Sequence, residues 1–185
     1  RLPRLMAITH AGEQGIDAQL AALDRALADG LRLVQVREPA LDSSLRERFA
    51  REVVARVHGC GGLVLLNGDP DLARTVGADG VHLPARMLAI LNERPDCPWV
   101  GASCHDRGEL ERAVTLGLDY ALLGPVAPTA SHPGQAGLGW TRFTELVAGL
   151  PLPVLALGGL QPENMEKARD AGAHGIAAIR GAWSV

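Results

Sequence analysis

The stretch Leu155–Gly181, LALGGLQPENMEKARDAGAHGIAAIRG, reads as strand, glycine turn, helix, glycine turn and strand. Val154 to Leu157 is an apolar run halted by Gly158 and Gly159, the pattern of a strand buried on both faces that ends in a tight turn. Pro162 suits the first position of the helix that follows. Glu163 and Glu166 favour its N-terminal end, Lys167 and Arg169 its C-terminal end, and Gly172 stops it. Gly175 to Ile179 is a second apolar run, closed by Arg180-Gly181. Neighbouring parallel strands that both end in glycine present backbone N–H groups at one sheet edge, a setting that favours phosphate. In barrel enzymes the phosphate site often follows the last two strands. An ordinary βαβ unit would use the same glycines merely to turn the chain.

The same rhythm recurs along the rest of the chain. Leu5–Thr9 reads as a first strand and Asp17–Asp29 as a helix, with Leu20, Leu23 and Leu27 at helical spacing and Gly30 as the stop. Leu31–Arg37 is a strand ending in the polar group Gln35, Arg37 and Glu38, which is expected to face an active site. Asp42 or Ser43 caps a helix with Leu45, Phe49, Val53, Val54 and Val57 on one face. Further strands are expected at Leu63–Leu66, Gly80–Leu83, Trp99–Ser103 and Tyr120–Gly124, with helices near 69–76, 86–93, 107–116 and 141–147. Eight strands alternating with helices give an all-parallel sheet, closed as a barrel or open and doubly wound. An open sheet of this kind normally places a glycine fingerprint after its first strand, and Thr9-His10-Ala11-Gly12 is not one. Polar residues closing nearly every strand favour an α/β (β/α)8 barrel, with its last helix short or missing.

The 185 residues suit one domain, residues 1–185, and 47% hydrophobic with 21% charged residues is ordinary globular composition. A net charge of -3 argues against a nucleic-acid surface held by bulk charge. No window approaches a membrane span, and the N-terminus does not read as a signal peptide. Cys60, Cys97 and Cys104 are too few and scattered for a disulfide framework or zinc site, so reduced thiols and a cytoplasmic location are expected. A start at Arg1, leading almost at once into a strand, suggests a piece of a longer chain.

Gln35-Val36-Arg37-Glu38, Asn67 followed by Asp71-Leu72-Ala73, Gly77 to Leu83, Ser103 with His105, Asp119-Tyr120 running to Gly124-Pro125, and Gly158-Gly159 together resemble the thiamin phosphate synthase family over almost the whole chain. The resemblance implies a (β/α)8 barrel that joins hydroxymethylpyrimidine diphosphate to thiazole phosphate and releases pyrophosphate with Mg²⁺. By that resemblance Gln35, Arg37 and Asn67 stand at the pyrimidine and diphosphate, Thr129 and Ser131 at phosphate with His132 beside them, and Gly158, Gly159, Arg180 and Gly181 at the thiazole phosphate. Ser103 is retained. His105 and His132 are candidate acid/base groups, each also readable as a structural or solvated histidine. His58, His82 and His174 read as structural.

Several positions depart from the family pattern. Pro39 and His132 replace lysines, Gly68 replaces an aspartate that binds Mg²⁺, and Pro84-Ala85-Arg86-Met87 stands where the second metal ligand belongs. Mg²⁺ needs hard oxygen ligands, so Mg²⁺ is compatible with the chain but its usual ligands are missing, and no metal-ligating residue is assigned. Asp71 is expected to serve the N-terminus of a helix rather than a metal. Asn67-Gly68 and Leu83-Pro84 also resemble the thiazole tautomerase (TenI-like) branch. The alternative to a synthase is therefore a thiazole or thiamin phosphate-binding or tautomerase-like module, attached to an N-terminal Nudix (MutT-type) hydrolase. In either case the expected partner is a small phosphate or diphosphate ligand.

Overall fold

Strand alternation sorts the side chains of this chain into two populations, one between sheet and helices and one inside a ring of strands. In the computed structural model, which describes residues 1–129, 133–134 and 136–183, the strands are β1 (Leu5–Ile8), β2 (Leu33–Val36), β3 (Leu63–Asn67), β4 (Gly80–Leu83), β5 (Trp99–Cys104), β6 (Tyr120–Leu123), β7 (Val154–Leu157) and β8 (Gly175–Ala178). All pair in parallel, in sequence order, and β1 closes on β8 through Leu5↔Ile176 to Ala7↔Ala178. The expected (β/α)8 barrel is the observed fold.

Val34, Val36, Val64 and Leu66 point outward onto the helices, in a cluster with Phe49, Val53 and Val57. Val81, Leu83, Val100, Ala102, Ala121 and Leu123 do the same on the other half of the ring. The inward set at the barrel's floor is Met6, Leu33, Leu65, Tyr120, Leu155 and Ala177. The next inward residues toward the C-terminal ends are Ile8, Gln35, Asn67, Ser103, Leu122 and Leu157, which line the mouth. Strand period, not loop chemistry, thus delivers most of the site.

The helices are α1 (Ala11–Gln14), α2 (Ile16–Ala28), α3 (Ser43–Gly59), α4 (Pro70–Val76), α5 (Ala85–Ile90), α6 (Arg107–Thr115), α7 (Gly139–Val147) and α8 (Met165–Asp170). Asp42, Asp69 and Asp106 cap α3, α4 and α6 by accepting from Leu45, Leu72 and Glu109 N–H at 2.8–2.9 Å. The cap of α4 is therefore Asp69, while Asp71, expected to serve that helix end, is exposed and paired with Arg74. Pro162–Asn164 forms a 3₁₀ turn ahead of α8, and β8 is followed by a 3₁₀ turn, Arg180–Ala182.

Two expectations change. Helix α1 was not foreseen, because its first N–H groups, Ala11 and Gly12, are held by the Glu38 carboxylate, 27 and 26 residues away. Glu38, expected to face the active site with Gln35 and Arg37, is buried against the start of α1 in that role instead.

Candidate active site

The C-terminal mouth of the barrel holds a cavity of about 380 Å³. That volume falls within the range usual for small-molecule sites. Gln35 and Arg37 reach it from the end of β2, Asn67 from β3, Ser103 and His105 from β5, Thr129 from the loop after β6, and Gly158, Gly159, Arg180 and Gly181 from the ends of β7 and β8. Every sequence-derived site residue among those described is brought to this one cavity. Ser131 and His132 lie outside the described residues.

The polar side of the mouth is internally tied. Asn67 Nδ2 donates to Gln35 Oε1 at 2.9 Å, across the pairing of β2 with β3. Arg37 takes its place next to them at the strand end, and its backbone N–H donates to Thr9 Oγ1 at 3.1 Å, which fixes where the guanidinium starts. His105 is clasped by Glu109, whose carboxylate accepts from the His105 backbone N–H at 2.6 Å and lies 3.1 Å from Nδ1. With Nδ1 engaged, Nε2 is the ring nitrogen left for other partners. Cys104 also borders the cavity, but burial pushes its thiol up to about 12, with Glu109 and Asp106 adding to the shift, so it stays an inert thiol.

The opposite side is glycine and backbone. Gly158 (φ 108°) and Gly159 (φ 63°) adopt conformations that L side chains rarely take. A Cβ on Gly158 would stand 2.6 Å from Pro125 Cα, and one on Gly159 2.8 Å from Pro128 O. The pair lets the β6 loop dock, through Val126 N–H to Leu157 O at 2.8 Å and Ala127 N–H to Gly158 O at 3.1 Å. The glycines thus turn the chain and also admit the β6 loop at the edge of the cavity. Arg180 Nη2 meets both oxygens of Glu13 at 2.8 and 3.0 Å, linking the β8 end to α1. Trp183 folds back over the barrel, its Nε1–H donating to Ile8 O at 2.9 Å.

A residue read as structural in the sequence proves to border the site from behind. His82, wholly buried on β4, lies 2.8 Å through Nε2 from Ser103 Oγ and 2.7 Å through Nδ1 from the Tyr120 hydroxyl. Strand alternation held the signal for it, since His82 is the register partner of the inward-facing Asn67. His58 and His174 keep structural partners, Asp79 at 2.9 Å and Leu2 O at 2.9 Å.

Residues 5–182 match the family described as thiamine monophosphate synthase. The chain belongs to that family. It is 37% identical over 186 residues to the thiamine-phosphate synthase of Chromobacterium violaceum, covering 98% of this chain and 88% of that one. It is 35% identical over 181 residues to the putative thiamine-phosphate synthase 2 of Aquifex aeolicus, covering 96% of each. The thiamine phosphate pyrophosphorylase from Pyrococcus furiosus has the same fold, with a TM-score of 0.79 at 24% identity over 95% of this chain and 85% of that one. The resemblance carried by Gln35-Val36-Arg37-Glu38 through Gly158-Gly159 is borne out as family and as fold.

The resemblance also implies Mg²⁺, and the residues present do not fit a protein-held Mg²⁺. The two places where the resemblance implies metal ligands, Gly68 and the Pro84–Met87 stretch, are neighbours in space: a Cβ on Gly68 would stand 3.7 Å from Met87 Sδ. Neither Gly68 nor Pro84-Ala85-Arg86-Met87 offers a carboxylate, and the soft Met87 sulfur is a poor partner for a hard cation. Asp69 is spent on its cap and Asp71 points to solvent. Among the described residues no group of three or more His, Cys, Asp or Glu is placed to hold a metal. No helix is long and apolar enough to cross a membrane, again among the described residues.

Proposed function

We propose that this barrel joins hydroxymethylpyrimidine diphosphate to thiazole phosphate, forming thiamin phosphate and releasing pyrophosphate. One observation carries the reading. Asn67 on β3 and the Gly158-Gly159 turn after β7 stand four strands apart in a ring of eight, so the polar wall and the glycine wall face each other across one cavity. Two phosphorylated reactants entering from the two walls would meet in the middle, which converts a bimolecular step into a local one.

On this reading Gln35 and Asn67, locked to each other, orient the pyrimidine ring through their remaining amide groups. Arg37 neutralises the charge that grows on the departing diphosphate, the step that limits ionisation of a pyrimidinylmethyl diphosphate. Gly159 holds the thiazole phosphate by its backbone N–H, which has no acceptor among the described residues. Gly181 and the guanidinium of Arg180 complete that end, with Thr129 on the loop between the two reactants. Turnover of the two substrates, scored for thiamin phosphate with Arg37→Ala beside it, is the test. Product that requires Arg37 supports the reading, and no product from the intact chain overturns it.

A second reading is favoured by Gly68, Met87 and the His105–Glu109 pair: a phosphate-binding barrel that moves protons rather than joining rings. A carboxylate on Nδ1 orients an imidazole for acid/base work through Nε2. Exchange of thiazole phosphate protons with solvent deuterium, lost in His105→Gln, is the result expected under that reading and not under the first.

A further inference from the structure

Ser103 reaches the cavity with its hydroxyl already engaged from behind. His82 Nε2 stands 2.8 Å from Ser103 Oγ, and the Tyr120 hydroxyl stands 2.7 Å from His82 Nδ1. The His82 and Tyr120 rings are stacked, centroids 5.6 Å apart, and both side chains are wholly buried. What allows them to meet is Gly101, the register partner of His82 on one side and of Tyr120 on the other. A Cβ on Gly101 would stand 2.0 Å from the Tyr120 ring, so any side chain there would evict the phenol.

We propose that Tyr120 and His82 are positioning residues that hold Ser103 as a hydrogen-bond donor into the cavity, so that the site selects ligands presenting a ring-nitrogen acceptor there. The ligand half of this rests on the proposed pyrimidine reading of the β2–β5 wall. The direction of the relay depends on where three hydrogens can go. Burial, with the Arg37 charge as a lesser cause, lowers His82 to about 3, so its ring is neutral at working pH and carries one N–H. In one arrangement Tyr120 O–H donates to Nδ1, Nε2–H donates to Ser103 Oγ, and the serine hydrogen is left for the cavity. In the other, Ser103 O–H donates to Nε2, Nδ1–H donates to the phenol oxygen, and the phenol hydrogen must find another acceptor. Among the described residues the Tyr120 hydroxyl has His82 as its hydrogen-bond partner. The second arrangement therefore buries an unpaired O–H, which disfavours it by roughly tenfold or more in population. Only the first leaves every buried hydrogen paired.

A Ser103 hydroxyl so fixed gives a hydrogen bond and cannot readily take one from the same direction. A heterocycle offering N–H at that point would meet a donor facing a donor, whereas a bare ring nitrogen would be matched. Truncating one partner of such a pair typically changes affinity by about tenfold or somewhat more.

The test has two arms that fail separately. Nitrogen-15 spectra of labelled protein, with His82→Gln used to assign the ring resonances, are expected to show a protonated Nε2 and bare Nδ1 in His82 from pH 5 to 8. Tyr120→Phe removes the donor to Nδ1 and is expected to shift the ring toward Nδ1–H. For the ligand, affinity is compared between hydroxymethylpyrimidine diphosphate and its two analogues in which one ring nitrogen is C–H. Wild-type protein is expected to discriminate against one analogue by about tenfold, and both Ser103→Ala and Tyr120→Phe to compress that ratio below about threefold. Thiazole phosphate affinity is expected to stay unchanged in Tyr120→Phe, which separates the effect from misfolding. Protonated Nδ1 in the wild type, or a Tyr120→Phe protein with unchanged tautomer and discrimination, overturns the proposal. A wild type that binds none of the three diphosphates sinks the pyrimidine reading and the ligand half with it, while the relay still stands or falls on the spectra.

Discussion

Met87 Sδ lies 3.7 Å from the point where a Cβ on Gly68 would be, so Gly68 and the Pro84–Met87 stretch, where the family resemblance implies metal-binding carboxylates, lie side by side. Restoring acids there should rebuild a cation site. Gly68 has φ 71°, which aspartate tolerates better than most residues, at a cost of about 1 kcal/mol. Calorimetric titration with Mg²⁺ is expected to show at least tenfold tighter binding to Gly68→Asp/Met87→Asp than to the wild type, and little gain in Gly68→Asp alone. Equal heats in all three proteins would mean that the pair of positions does not define the site.

Arg37 is the cation at the polar end of the mouth. If it neutralises a leaving diphosphate, Arg37→Ala should lower kcat by about 10²–10³, the usual loss when one stabilising donor is removed from a charge-developing step. Arg37→Lys keeps the charge but not the forked geometry and should fall in between. A fall in KM-dependent rate alone, with kcat intact, would place Arg37 in uniform binding instead.

Gly158→Ala meets two obstacles at once, a φ of 108° and a Cβ 2.6 Å from Pro125 Cα. The expected loss is about 2–4 kcal/mol in urea unfolding, with the β6 loop displaced from the site. Gly30→Ala also has positive φ but open space around its Cβ, so it should cost only about 1 kcal/mol. Equal losses would show that the contact with Pro125 carries no weight.

Acid stability should follow His82. Its folded pKa is lowered to about 3 against an ordinary 6.5, so between those values the unfolded chain binds the extra proton. Stability from this group is present above pH 6.5 and is lost as pH falls toward 3, at up to about 1.4 kcal/mol per pH unit. Urea midpoints measured from pH 7 to 4.5 should decline in the wild type, and the decline should flatten in His82→Gln. Cys104 sets the opposite limit: with its thiol raised to about 12, its contribution is present below the ordinary thiol range and lost on going alkaline.

The barrel was legible because each strand announces itself by an apolar run and a glycine or polar stop, and because period two sorts those runs without help from the loops. Gln35, Asn67 and Ser103 were legible as polar residues closing apolar strands and by the family resemblance. Glu38 escaped, since its partners are the N–H groups of Ala11 and Gly12, and a contact spanning 26 or 27 residues leaves no local mark. His82 escaped for another reason. Its role depends on Tyr120 and on the bare flank of Gly101, three strands acting together, and no single stretch of chain contains that arrangement.

Trp183 closes the molecule by hydrogen-bonding Ile8 O, two residues along the chain from Gly181 at the glycine end of the cavity. If the glycine end seats a phosphate ester as proposed, an indole buried this close to it is a built-in optical reporter. Its emission should shift when phosphate esters arrive, which lets occupancy be followed in real time without a label. Trp183→Phe identifies the share of the signal owed to this ring rather than to Trp99 or Trp140.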